Sequence, residues 1–166
     1  MGKVILCGPS ASGKDHARKI FETKGFTLGV SYTTRDPRPG EIEGVDYNFI
    51  SKDQFKQWIK EGEWLEYDMV QNFVDGKVIE DYYGTTKDQF ETYDLFIMTP
   101  IGINKIPQEY HETFVVLTFD IDKDIRTERM NNRKGWTKEK TDTRLEWEEK
   151  AFANSPADIR VTNPDF

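Results

Sequence analysis

The chain has 166 residues, with 30 acidic against 23 basic side chains and a formal net charge of −7. This length suits a single domain with its own core, and the acidic balance argues against a general nucleic-acid or membrane-surface binder. The single cysteine, Cys7, excludes an internal disulfide framework, and no apolar run approaches the length of a membrane span. We therefore expect a cytoplasmic protein with neither nucleic acid nor membrane as a partner.

A glycine-rich loop near the N-terminus is the most informative stretch. It follows an apolar run at 4–7 and precedes a helix-compatible segment at 15–21. A Gly-x-x-x-x-Gly-Lys loop between a strand and a helix can wrap its N–H groups around a phosphate, and Lys14 adds positive charge near the outer phosphates. An ordinary glycine-rich turn is the alternative interpretation. The predicted phosphate-binding residues are Gly8, Pro9, Ser10, Ala11, Ser12, Gly13 and Lys14.

Asp15 departs from this motif, which has Ser or Thr after the lysine. Its carboxylate can ligate magnesium directly. Alternatively, Asp15 only occupies the first turn of a helix, where a negative charge suits the helix dipole. The residue pattern leaves both interpretations open.

The first half of the chain then mixes strands, turns and one helix. Two prolines and a glycine exclude a helix over 32–41, so that stretch is predicted to be an extended loop that presents Arg35 and Arg38. Apolar alternation, capping and turn residues define the other elements. They are strands at 25–31, 45–50 and 64–70, a helix from Ser51 to about Glu61, a turn at Asp75-Gly76 and a returning strand at 78–85.

The second half alternates strands with helices. Such alternation after a phosphate loop implies an α/β fold, with a central parallel sheet covered on both faces in a three-layer core. The hairpin-rich block at 31–85 is predicted to form an insert beside that sheet. The predicted elements are strands at 95–98, 114–119 and 159–162, a helix at 126–133 after a cap at Asp122, and a helix at 138–153.

Several motifs together carry a resemblance to a known family. Beyond the phosphate loop, they are the run Ser31-Tyr-Thr-Thr-Arg35-Asp-Pro-Arg38-Pro-Gly-Glu41, its continuation Gly44-Val-Asp46-Tyr47-Asn-Phe49, Glu63-Trp-Leu-Glu66-Tyr, Tyr82-Tyr83-Gly84-Thr85, Arg129-x-x-x-Arg133, Arg144 and Val161-Thr-Asn163. With these motifs in this order over nearly the whole chain, the sequence resembles the guanylate kinase family of P-loop nucleoside monophosphate kinases.

The resemblance implies a P-loop core at 1–30, 88–124 and 151–166, a nucleoside-monophosphate-binding insert at 31–87 and a helical arginine lid at 125–150. It implies phosphoryl transfer from magnesium ATP to GMP or dGMP, by a monomer or a homodimer. The phosphate loop, Asp15 and Asn163 would bind ATP, with Asp15 as the tentative Mg²⁺ ligand. The implied catalytic residues are Lys14, Arg129, Arg133 and Arg144. The implied acceptor-binding residues are Ser31, Arg35, Arg38, Glu41, Tyr47, Glu66, Tyr83, Thr85 and Thr99.

The chemistry of the acceptor base agrees with these assignments. Guanine presents N1–H and N2–H donors beside its O6 acceptor, so the Glu66 carboxylate can accept from both donors while the Ser31 and Thr85 hydroxyls donate to O6. Adenine has an acceptor at N1 and would be rejected. The alternative places Glu66 at the surface of an alternating strand.

Two further points stay open. Thr99 stands where the family's core strand ends in Asp-x-Asp, so either Asp15 replaces the missing carboxylate, or the pocket accepts a base other than guanine, such as a modified purine. The arginines of the lid have a second interpretation, as a solvated helix face paired with Glu128, Glu146 and Glu148, which we prefer for Arg126. A catalytically silent, phosphopeptide-binding module of the same fold is the competing function.

Overall fold

The computed structural model describes residues 2–166. The chain starts with strand β1 and alternates strands and helices to its last strand. In order, the elements are β1 (Lys3–Cys7), α1 (Lys14–Thr23), β2 (Tyr32–Thr33), β3 (Asn48–Phe49), α2 (Lys52–Glu61), β4 (Trp64–Val74), β5 (Lys77–Thr86), α3 (Lys87–Thr92), β6 (Leu95–Ile97), α4 (Pro100–Lys105), a 3-10 helix (Gln108–Thr113), β7 (Phe114–Phe119), α5 (Lys123–Asn131), α6 (Lys138–Ala151) and β8 (Ile159–Val161).

The central sheet is parallel, with the strand order β6-β1-β7-β8. Its interior strand β1 is apolar on both faces because both faces are covered. Ile5 and Cys7 pack into one core cluster, whereas Val4 and Leu6 pack into the other. The predicted α/β class with a central parallel sheet is therefore confirmed, and the strands direct their carboxyl ends to a common edge.

A second, mixed sheet has the order β3-β2-β5-β4. Its β4–β5 hairpin turns at Asp75 and Gly76, whose φ angles of 49° and 77° suit a tight two-residue turn. The pairing shifts register between Trp64 and Glu66, and Trp64, Leu65 and Glu66 are all buried. This irregularity breaks the alternation of the strand and keeps Glu66 away from solvent, opposite Thr85.

Two of the predicted strands are corrected. In residues 25–31 only Leu28 makes a bridge, to Leu95. Gly25, with a φ of 93°, belongs to the turn after α1, where its N–H donates to the Glu22 carbonyl. The predicted strand at 45–50 shrinks to β3, because the N–H groups of Val45 and Asp46 both donate to the Ile42 carbonyl and form a turn. The hairpin, in contrast, is longer than predicted, since β4 continues to Val74.

The predicted helix boundaries hold more closely. Ser51 accepts a hydrogen bond from the Gln54 N–H at the start of α2, which ends at Gly62 with a φ of 73°. Asp122 caps α5, which begins earlier than predicted. Helices α3 and α4 were not predicted, and Thr99 caps α4 by accepting from the Gly102 N–H. No helix within residues 2–166 has the length and apolar character needed to cross a bilayer.

Candidate active site

A cavity of about 700 Å³ lies between the carboxyl edge of the parallel sheet and the inner face of the β4–β5 hairpin. Its volume is typical of a small-molecule site. Of the predicted site residues, Pro9, Arg35, Thr85 and Asn163 do not line it. Those that do are Gly8, Ser10, Ala11, Ser12, Gly13, Lys14, Asp15, Ser31, Arg38, Glu41, Tyr47, Glu66, Tyr83, Thr99, Arg129, Arg133 and Arg144.

The phosphate loop forms one end of the cavity, between β1 and α1. Gly13 precedes α1 with a φ of 98°, a left-handed conformation that favours glycine. Lys14 folds back over the loop and donates to the carbonyls of Gly8 at 2.6 Å and Pro9 at 2.8 Å. Burial lowers the pKa of Lys14 from 10.5 to about 8. The lysine is thus held next to the loop's concave face, as a phosphate-binding cation must be.

Glu148 of α6 is a buried acid at this loop that the sequence patterns did not identify as a site residue. Its carboxylate accepts from the Ser10 N–H at 2.8 Å and also from the Ser10 hydroxyl. Arg126 pairs with Glu148 at 3.3 Å, which confirms the predicted ion pair with that residue. Arg126 is only 9% exposed, so the predicted solvated position is wrong. The reason is that the first turns of α5 pack onto the phosphate loop. Arg144 approaches the same carboxylate at 3.8 Å.

The remaining predicted lid arginines contact the loop or aromatic rings. Arg129 donates to the Ala11 carbonyl at 3.0 Å and to the Pro164 carbonyl at 2.9 Å. Arg133 lies 5.6 Å from the centre of the Trp136 ring, and Arg38 lies 5.3 Å from the same ring. Trp136 therefore connects an arginine of the predicted lid with one of the 31–41 loop.

The 31–41 loop carries a rigid ion pair. Arg35 is 6% exposed, and its two terminal nitrogens contact the two carboxylate oxygens of Glu41 at 2.9 Å each, while its Nε donates to the Tyr83 hydroxyl at 3.1 Å. Burial is the largest single influence and opposes the ionisation of Glu41. The hydrogen bonds from Arg35 and from the Arg38 N–H, together with the charges of both arginines, outweigh burial and lower the pKa of that carboxyl. Glu41 also accepts from the Arg38 N–H at 2.7 Å, so the Arg35–Glu41 pair fixes the backbone from which Arg38 enters the cavity.

Two tyrosines face these arginines. The rings of Tyr47 and Tyr83 pack edge to face, 5.7 Å apart. Burial raises the pKa of Tyr47 to about 12. Burial acts on Tyr83 as well, but Arg35, Arg144 and Arg38 outweigh it and lower the pKa of that hydroxyl. Arg38 and the Tyr47 and Tyr83 side chains together make a positive, hydrogen-bonding wall suited to a phosphate.

The other end of the cavity is acidic. Glu66 is 5% exposed and has no basic partner within 4 Å among residues 2–166. Burial, reinforced by Asp68, raises the pKa of Glu66 from 4.5 to about 7. Thr85 is fully buried opposite Glu66, and the Thr85 hydroxyl makes no hydrogen bond. Glu66 is therefore a buried acceptor rather than the surface residue of the alternative interpretation.

Asp15 and Asn163 lie at the solvent-facing side. The Asp15 side chain is 82% exposed at the first turn of α1, 4.0 Å from Arg18. Asn163 is exposed and accepts from the Asp165 N–H. No group of three or more potential metal ligands is present within residues 2–166. A metal ion would thus have to draw most of its ligands from a nucleotide and water.

Asp68 and Phe166 also line the cavity and were not predicted. Asp68 follows Glu66 by two residues, so the alternation of β4 could have placed both on one face. Nothing in the sequence indicates that the Phe166 ring lies against Gly13, where it blocks the space that a Cβ would fill.

Comparison with known proteins agrees with this geometry. A family model described as "Guanylate kinase" matches residues 1–98, more than half of the chain. The chain is similar to the guanylate kinase of Oceanobacillus iheyensis, with 34% identity over 78% of this chain and 63% of that protein. It is also similar to the guanylate kinase of Clostridium tetani, with 41% identity over 52% of this chain and 38% of that protein. It thus spans less than two thirds of these relatives. A crystal structure of guanylate kinase from Anaplasma phagocytophilum has the same fold, with a TM-score of 0.65 and 22% identity over 98% of this chain and 76% of that one. The chain belongs to the guanylate kinase family.

Proposed function

We propose that this protein transfers the terminal phosphoryl group of ATP to GMP or dGMP. The observation that carries the proposal is a single cavity with a phosphate loop at one end, a buried carboxylate at the other and arginines between them. ATP and a purine nucleoside monophosphate are its proposed partners. The family membership supports the same reaction.

The acceptor would lie with its base against Glu66 and its phosphate against Arg38 and Tyr83. An ionised Glu66 accepts from guanine N1–H and N2–H, whereas an adenine N1 would face it lone pair to lone pair. Ser31 and Thr85 are the proposed donors to O6. Since Arg35 is fully engaged by Glu41, its contribution is to hold Arg38 and Tyr83 in place.

The donor would lie with its phosphates on residues 8–14. Lys14 exchanges its bonds to the loop carbonyls for phosphate oxygens. Arg129 brings further positive charge from α5, Arg133 from the connection after α5, and Arg144 from α6. Phosphoryl transfer needs alignment and charge stabilisation rather than covalent chemistry, and these residues supply both. Movement of α5 and α6 over the bound nucleotides would exclude water.

Mg²⁺ fits this site as an ion that arrives with ATP. Magnesium commonly binds through one or two carboxylates together with substrate phosphates, and the exposed Asp15 carboxylate beside Lys14 is suited to that role. When bound, the ion neutralises charge on the phosphate oxygens.

Product formation by the purified protein tests the proposal. Mg-ATP is incubated with GMP, dGMP, AMP, dTMP or dUMP, and nucleoside diphosphates are separated chromatographically, with Lys14→Met as the control. Turnover confined to the guanine nucleotides would support the proposal. A folded protein that turns over none of them would overturn it in favour of a silent binding module, and turnover of another base would overturn the proposed role of Glu66.

A further inference from the structure

The base end of the cavity contains a second buried carboxylate. Asp68 lies two residues after Glu66 on β4, is 5% exposed and lines the same cavity. It is close enough to Glu66 to contribute to the raised pKa of that residue. Among residues 2–166, no lysine or arginine forms a salt bridge with either acid. Lys105 donates instead to the Tyr67 carbonyl at 2.8 Å and favours the ionised form of Glu66 only through its charge. Two adjacent buried acids without a salt-bridge partner are unfavourable unless a ligand brings hydrogen-bond donors to them.

A chain of hydrogen bonds fixes the orientation of Asp68. The Thr99 hydroxyl donates to its Oδ2 at 2.7 Å, and the Met69 N–H donates to its Oδ1 at 2.7 Å. Thr99 in turn accepts from the Gly102 N–H at 3.1 Å, at the start of α4. The hydroxyl proton of Thr99 is thus committed to Asp68. Thr99 positions a carboxylate of β4, which belongs to the second sheet, at the point where β6 itself supplies none.

The chemistry of guanine calls for such a carboxylate. Its edge presents three N–H hydrogens, one on N1 and two on the 2-amino group. The two oxygens of Glu66 can accept two of them, so one hydrogen of the amino group needs another acceptor. Each Asp68 oxygen keeps a lone pair beyond the bond it already accepts.

We infer that Asp68, oriented by Thr99, is a second base-recognition residue and selects purines that carry a 2-amino group. The inference rests on the proposed function, since it assigns a ligand contact within the same site. It also gives Thr99 a positioning role, which differs from the magnesium or altered-base interpretations of that position.

GMP and IMP test this assignment because they differ only in the 2-amino group. Steady-state kinetics with each acceptor are measured for the wild-type protein, Asp68→Asn and Asp142→Asn, an exposed position on α6 with the same change in charge. We expect Asp68→Asn to raise the KM for GMP by roughly 10- to 100-fold and to leave the KM for IMP nearly unchanged, as for the loss of one charge-assisted hydrogen bond. Asp142→Asn should change neither KM.

Thr99 provides an independent test should Asp68→Asn fail to fold. Thr99→Val removes the hydroxyl and should also lower the preference for GMP over IMP, whereas Thr99→Ser should retain it. An unchanged preference in the Asp68 or Thr99→Val variants would overturn the inference while GMP turnover by the wild type still upheld the proposed function. A wild type that binds neither nucleotide would instead overturn the function itself, and the inference with it.

Discussion

Glu66→Gln tests the electrostatics of the cavity because it preserves shape and removes the ionisable group. Burial and the neighbouring Asp68 raise the pKa of Glu66 from 4.5 to about 7. Between these pH values the folded protein retains a proton that the unfolded chain releases. The stability of the wild type must therefore fall as the pH rises through this window, and the loss is complete above the folded-state pKa.

The size of the effect follows from the two pKa values. A shift from 4.5 to about 7 corresponds to roughly 3 kcal/mol of unfolding free energy when fully developed. Because Glu66→Gln does not titrate, its stability relative to wild type should rise by roughly 2 kcal/mol between about pH 5.5 and about pH 8. The affinity for GMP should fall on the order of 100-fold, since the amide has a donor where N1–H needs an acceptor.

Urea unfolding followed by tryptophan fluorescence at several pH values measures the first effect, and calorimetric titration with GMP measures the second. Glu63→Gln is the matched control, because Glu63 is exposed immediately before the same strand. Parallel pH profiles for wild type and Glu66→Gln would refute the assignment of a raised pKa. Unchanged GMP affinity would refute base recognition by Glu66.

Three further changes separate structural from functional side chains. Glu41→Gln leaves the buried Arg35 guanidinium without its counter-ion, and urea unfolding should show a loss of about 3 kcal/mol. In Gly102→Ala, the new methyl group would overlap Oε2 of Glu66, so the KM for GMP should rise roughly 10-fold. Its unfolding free energy should change by less than about 1 kcal/mol, since the displaced carboxylate ends a flexible side chain. Lys14→Met should lower kcat by at least about 100-fold. It should not lower stability at neutral pH, because burial already opposes the charge of Lys14 and lowers its pKa to about 8.

The parts of the fold that were predicted correctly are those set by local sequence. The apolar run of β1 is buried on both faces, so periodicity and burial agree. Ser51 caps α2 through its side-chain oxygen, and Asp75-Gly76 turns the chain through its backbone angles. Both effects are local, and this is why the start of α2 and the hairpin turn were placed correctly.

The parts that were missed depend on contacts between distant segments. Arg126 has the spacing of a solvated helix residue, and only the packing of α5 on residue Ser10 and Glu148 buries it. In the sequence, Asp68 has the pattern of an ordinary polar residue of a hairpin. In the fold it accepts a hydrogen bond from Thr99, which follows β6 and lies 31 residues away in the chain. The sequence offered Glu148 as one of several partners for the helix arginines, and alternation could place Asp68 on the face of Glu66. The burial of Arg126 and the bond from Thr99 to Asp68 depend on contacts that no period or motif reveals.

The arginines around the cavity fall into two classes once their partners are compared. Arg35 and Arg126 are buried against carboxylates, so removing either one would leave an uncompensated acid. Arg38 and Arg133 each contact the Trp136 ring instead, and Arg144 is 3.8 Å from the Glu148 carboxylate, which Arg126 already balances. An arginine that leaves an aromatic ring or a long ion pair for a phosphate oxygen loses little interaction free energy. An arginine that leaves a two-point salt bridge loses much. Arg38, Arg133 and Arg144 can therefore move onto substrate phosphates. Arg35 and Arg126 instead hold the surrounding structure in place.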